Sequence, residues 1–141
     1  MSTPMVGYNC IMVFCPDASR ILMCRRVKNP YKGLRNLVGG HIEPGESGEE
    51  AAYRELFEET AISRESITLR HLMDFTYYNQ GCYVEVWCGR LHEAMEPHGD
   101  ENPLCWVNLD EDFFDMSQFA GEGNIGHMIE QVKQFGEGFL D

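Results

Sequence analysis

Gly39-Gly40-His41-Ile42-Glu43-Pro44-Gly45-Glu46-Ser47-Gly48-Glu49-Glu50-Ala51-Ala52-Tyr53-Arg54-Glu55-Leu56-Phe57-Glu58-Glu59-Thr60-Ala61-Ile62 is a glycine-rich loop running into a segment loaded with acid. Ser47-Gly48-Glu49-Glu50 has the capping-box pattern, in which the serine hydroxyl accepts from the Glu50 amide while the Glu50 carboxylate reaches back. A helix therefore starts near Ser47 and, with helix-favouring residues and no proline, continues toward Ile62. With Arg54 at zero and about 100° per residue, Glu58, Glu55 and Glu59 fall near about 40°, 100° and 140°. Tyr53, Leu56, Phe57 and Thr60 fall between about 200° and 300°, so that face packs on a core.

Three carboxylates on one arc repel one another. Like charges three or four residues apart cost roughly 0.2–0.5 kcal/mol per pair, and Glu58 and Glu59 stand in the last turn, where the macrodipole disfavours anions. A solvated acidic face is the ordinary explanation of such a helix. Here the acid exceeds what solubility requires, and Arg54 is expected to neutralise one neighbour. A divalent cation converts the penalty into a ligand set, because hard Mg2+ or Mn2+ takes carboxylate and carbonyl oxygens.

Gly40, five residues, Glu46, seven residues, then Arg54-Glu55-Leu56-Phe57-Glu58-Glu59-Thr60-Ala61-Ile62 resembles the Nudix box, Gly-x5-Glu-x7-Arg-Glu-U-x-Glu-Glu-x-Gly-U, where U is a bulky aliphatic residue. Ala61 stands where the family has glycine, at the exit turn, and the acids are intact. The resemblance implies an α/β (α+β) fold, an α/β/α sandwich with a mixed β-sheet between helices, and hydrolysis of a nucleoside diphosphate linked to a group X. It also implies that Glu55, Glu58 and Glu59 hold Mg2+ or Mn2+ together with the Gly39 carbonyl. Glu55 or Glu58 is then the catalytic ligand, and Glu46 and Arg54 orient loop and helix through an ion pair. Relatives take an additional acidic ligand or base from the region after the helix; Glu85 is the first choice here, with Glu93 its rival. His41, where relatives often carry lysine, is assigned a structural role.

The chain has 141 residues, enough for a single domain over 1–141 with a real core. Lys and Arg number 11 against 23 Asp and Glu, a net charge of -12. Such a surface repels nucleic acid and anionic membranes, and repels phosphate substrates unless metal ions intervene. Cys10, Cys15, Cys24, Cys82, Cys88 and Cys105 form no C-x2-C pair and several lie in apolar runs, so they read as reduced, buried thiols of a cytoplasmic protein. The apolar run from Met5 to Cys15 lacks a preceding basic region and is interrupted by Gly7 and Asn9, which makes it a strand and not a signal peptide. No run approaches a membrane span. The expected partner is a small nucleotide, and the expected assembly a monomer or homodimer.

Along the chain, Val6 to Cys15 and Ile21 to Cys24 form a hairpin about the turn Pro16-Asp17-Ala18. Arg25 and Arg26 begin the one basic cluster, either a solvated loop or a contact for substrate phosphates. Arg35 to Val38 is a short strand. Ile67 to Tyr78 and Cys82 to Leu91 pair antiparallel around Asn79-Gln80-Gly81, with Tyr83, Glu85 and Trp87 on one face and Val84, Val86 and Cys88 on the other. Cys105 to Leu109 is a further strand, and Asp110 to Gly123 is irregular. Ile125, Met128, Ile129, Val132 and Phe135 recur at helical spacing, a core stripe on a second helix that Gly136 stops.

Arg25-Arg26 after the second strand, Asn36-Leu37-Val38-Gly39-Gly40 before the box, and Gly121-Glu122-Gly123-Asn124 before the last helix resemble the MutT-type triphosphatases. These convert a nucleoside triphosphate, often an oxidised purine such as 8-oxo-dGTP, to monophosphate and pyrophosphate. The resemblance implies that Asn124 reads the base and Asn36 lines the same pocket, since an amide both donates and accepts. Loop asparagines also serve simply as turn formers. Other members act on ADP-ribose or dinucleoside polyphosphates, and Tyr78 lies near where the latter carry a tyrosine. A nucleotide sensor that does not hydrolyse is the alternative from another class; intact Arg54, Glu55, Glu58 and Glu59 argue against it.

Overall fold

A computed structural model of the chain describes residues 5–99, 101–135 and 140. The sheet grows around β1 (Val6–Phe14), which pairs in parallel with β5 (Cys82–Arg90) along its whole length. On its other side β1 meets β2 (Arg20–Arg25) antiparallel, with Phe14 opposite Ile21. The Asp17 carboxylate closes that hairpin, accepting from the Ser19 amide at 3.0 Å and the Ser19 hydroxyl at 2.6 Å. β3 (Arg35–Asn36) and β6 (Leu104–Asn108) both pair antiparallel with β2, and β4 (Arg70–Tyr77) pairs antiparallel with β5. The order β3-β2-β1-β5-β4, with β6 on β2, is a six-stranded mixed sheet.

Alternation along the central strands feeds two apolar layers. Ile11, Val13, Leu22 and Trp87 pack with Ala52 and Leu56 of α1 (Gly48–Thr60). Met12, Phe14, Ile21, Met23, Val86 and Cys88 pack on the opposite face with Ile125, Met128, Ile129 and Val132 of α2 (Asn124–Phe135). The result is the expected α/β/α sandwich. Leu56, fully buried, anchors α1; burying such a side chain contributes about 1.5–3 kcal/mol.

The helix starts as its sequence dictates: the Ser47 hydroxyl accepts from the Glu50 amide at 3.1 Å. It ends at Thr60 because Ala61 turns left-handed at φ 64, its amide donating to the Phe57 carbonyl at 2.9 Å.

Four expectations are corrected. Phe57 is 57% exposed, because Leu56 and Thr60 already fill the contact with the sheet and Phe57 falls at its rim. Phe135, in the last turn of α2, is 61% exposed; Gly136, expected to stop that helix, lies outside the described residues. β3 stops at Asn36, and Val38 makes only a single bridge to Ile11 before Gly39 redirects the chain. β4 begins at Arg70, with Ile67 bridging Leu91 instead. All six cysteines are free thiols, and Cys15, Cys24 and Cys88 are buried.

Candidate active site

The loop before α1 is held tightly against β1. Gly39 has φ 148, and a Cβ there would lie 2.1 Å from the Asn9 carbonyl oxygen, so glycine is required on two counts. A Cβ on Gly40 would lie 2.6 Å from the Glu55 carboxyl atoms. Loop and helix are stapled by Arg54. Its Nε and Nη2 donate to the two oxygens of Glu46 at 2.7 and 2.9 Å, and Nη2 also donates to the His41 carbonyl at 2.9 Å. The bidentate geometry is that of a strong guanidinium–carboxylate pair. Arg54, with the Glu43 amide adding a bond at 2.9 Å, holds the Glu46 carboxyl down at about 2. His41 also packs its ring 4.6 Å from that of Tyr8.

Arg54 reaches further than one neighbour. Its Nη1 donates to Glu55 at 3.1 Å and to Glu58 at 3.2 Å, because the planar fork presents several donors at once. Burial, with the Glu55 charge second, pushes the Glu59 carboxyl up to about 7, although the Gly39 amide donates to it at 3.3 Å. Glu55, Glu58, Glu59 and Glu101 line one cavity of about 480 Å3, closed by Asn102 and Leu104.

That donor set fits a hard cation: oxygens only, crowded until one carboxyl resists ionisation, with Gly40 keeping Glu55 free of a side chain in front of it. Among the described residues no three His, Cys, Asp or Glu side chains converge on one point, since Arg54 draws Glu55 and Glu58 while Gly39 draws Glu59.

The chain that carries this box matches the NUDIX domain over residues 5–125. The chain belongs to the Nudix family. It is 48% identical over 44 residues to an ADP-ribose pyrophosphatase of Methanocaldococcus jannaschii, covering 31% of this chain and 26% of that one. It is 45% identical over 47 residues to a provisionally named 8-oxo-dGTP diphosphatase of Bacillus subtilis, covering 33% and 30%. The chain thus spans less than a third of either relative. A C. elegans Ap4A hydrolase structure shares the fold, at TM-score 0.76 and 22% identity over 95% of this chain and 99% of that one.

Within this Nudix scaffold the remaining expected residues take separate places. Glu85 does not line the acid cavity: its carboxylate accepts from the Trp87 indole at 3.0 Å and lies against Gly48, where a Cβ would stand 2.0 Å from its oxygen. Gly48 opens α1, so Glu85 faces the wrong end of the helix. Glu93 lines a different cavity with Glu65, Ser66 and His92. Glu101, from the loop before β6, is the acidic residue from outside α1 that lines the cavity with Glu55, Glu58 and Glu59. Its only sequence signal was membership of the acidic loop, whose approach to α1 is a tertiary fact.

Arg25 donates to the Gly33 carbonyl at 2.7 Å and Arg26 to that of Pro30 at 2.8 Å, so both brace their loop. Arg26 also lies close enough to Glu59 to favour its charged form slightly. The Asn36 side-chain oxygen accepts from the Leu37 amide at 2.9 Å, a local bond at the end of β3. Asn124, first residue of α2, donates to the Tyr77 hydroxyl at 2.9 Å, and nearby Tyr31 donates to Glu122. Tyr78, 81% exposed, sits in the turn between β4 and β5. No helix among the described residues is long and apolar enough to cross a membrane.

Proposed function

We propose that residues 1–141 form one catalytic domain that hydrolyses a phosphoanhydride in a nucleoside diphosphate linked to X. The substrate is a nucleoside triphosphate, with an oxidised purine such as 8-oxo-dGTP the leading candidate, cleaved to monophosphate and pyrophosphate. The observation that carries the reading is a cavity lined by four glutamates, one of them driven to about 7 by burial and by its neighbours. In a chain of net charge -12, polyphosphate can enter such a cavity only with cations.

Glu55, Glu58, Glu59 and the Gly39 carbonyl would hold Mg2+ or Mn2+, with Glu101 added from the facing loop. When bound, the ion supplies Lewis acidity toward phosphate oxygens and water. Glu46 and Arg54 fix the loop to the helix, and the Arg54 fork orients Glu55 and Glu58 through its hydrogen bonds to both. Glu55, with its side chain only 13% exposed, or Glu58, at 56%, accepts the proton of the attacking water. Arg26 stands beside the cavity for phosphate oxygens. Asn124 and Asn36 serve the base, Asn124 with its amide oxygen left for a base donor while its nitrogen engages Tyr77.

ADP-ribose is the second reading, supported by the 48% identity to the pyrophosphatase of that name; dinucleoside polyphosphates follow from the fold likeness alone. A panel of normal and oxidised nucleoside triphosphates, ADP-ribose and dinucleoside polyphosphates, assayed with Mg2+, separates them by product. The expected products are monophosphate and pyrophosphate, and Glu58→Gln lowers kcat about a thousandfold if that carboxylate supplies about 4 kcal/mol of barrier reduction. Tight nucleotide binding with no turnover would make the domain a sensor.

A further inference from the structure

We propose that Asn9 is a positioning residue for the metal-binding loop, an inference that rests on the metal-dependent reading above. Asn9 lies in the middle of β1, is 3% exposed, and with Thr60 is the buried polar residue of the described core. It grips Gly40 from both sides: its backbone N–H donates to the Gly40 carbonyl at 2.8 Å and its side-chain oxygen accepts from the Gly40 backbone N–H at 2.9 Å. Its own carbonyl is the atom that a Cβ on Gly39 would strike. One residue therefore holds both the amide and the carbonyl of Gly40, which abuts Glu55 and whose amide shares its peptide group with the Gly39 carbonyl, a proposed ligand.

Stability does not explain an asparagine here. Its Nδ2 is buried without a hydrogen-bond partner among the described residues, and a β-branched residue would pack this strand without stranding a donor. What asparagine supplies that valine does not is an acceptor for the part-buried Gly40 amide, held on a strand and not on the loop itself. In metal sites such supporting contacts orient the ligands, and their loss weakens metal binding or activity about 10–100-fold. In the sequence Asn9 reads only as an interruption of an apolar run.

The test is Mn2+ affinity of the nucleotide-free protein, followed by the electron spin resonance of free Mn2+, for wild type, Asn9→Ala and Asn9→Asp, with a melting curve for each. Asn9→Ala is expected to bind Mn2+ about tenfold or more weakly while the nucleotide KM changes less than kcat. Asn9→Asp retains the acceptor for Gly40 and is expected to bind Mn2+ no more weakly than wild type. A folded Asn9→Asp protein with weakened Mn2+ binding overturns the proposal even if Asn9→Ala fails to fold, as does an Asn9→Ala protein with wild-type affinity. In either case wild-type turnover leaves the hydrolase reading standing. A wild-type protein that binds no Mn2+ overturns both.

Discussion

Glu59 shows at the scale of one residue how the site is tuned. Burial and the Glu55 charge lift its carboxyl from 4.5 to about 7. A proton held more tightly in the folded state stabilises that state fully below the unfolded value, and the contribution disappears as pH rises through the folded value. Without divalent ions, the melting temperature should therefore fall between about pH 5 and about pH 8 more steeply for wild type than for Glu59→Gln. Parallel profiles would show that Glu59 is not strained. Metal affinity runs the other way, tightening across the same window as the competing proton leaves. Glu55, Glu58 and Glu59 were legible in the sequence because helical phase puts them together whatever the rest of the chain does. Glu101 was not, since only the packing of its loop brings it to Glu59, and neither was the place of Glu85 beside Gly48, because strand alternation gives a face but not a position along α1. Arg54 was underestimated because helical spacing counts neighbours, whereas a guanidinium fork serves three carboxylates at once.

For the elements, the informative one is α1 and its two ends. Ser47 closes the start in the way its sequence announces. The exit is less comfortable: Ala61 adopts φ 64, where an L-residue costs about 1–2 kcal/mol and glycine does not. Glycine loses more chain entropy on folding, which offsets about 0.4–1 kcal/mol. Ala61→Gly should thus stabilise the protein by about 0.5–1 kcal/mol in chemical denaturation, with activity unchanged because the acids keep their places. Destabilisation would mean that the methyl group, not the turn, matters at this position. Element types along the chain followed from periodicity, and the errors lie at edges: β3 shortened by Gly39, β4 delayed to Arg70, Phe57 and Phe135 left outside the core.

The molecule as a whole sets a local excess of acid against a global one. Periodicity gave the strands and helices, but the parallel pairing of β1 with β5 joins segments far apart in sequence and is invisible to local pattern; the sandwich came from the resemblance of one box. That pairing fixes the strand from which Asn9 holds Gly40, while the antiparallel pairing of β2 with β6 brings the segment of Arg26 beside the loop that carries Glu101. The central claim is that the cavity of Glu55, Glu58, Glu59 and Glu101 exists to take a divalent cation. An anomalous difference map from a crystal soaked in Mn2+ tests it directly. The account predicts a peak within that cavity, with the Gly39 carbonyl and at least two of the box glutamates drawn onto it; an empty cavity with the glutamates still turned to Arg54 and to solvent would contradict it.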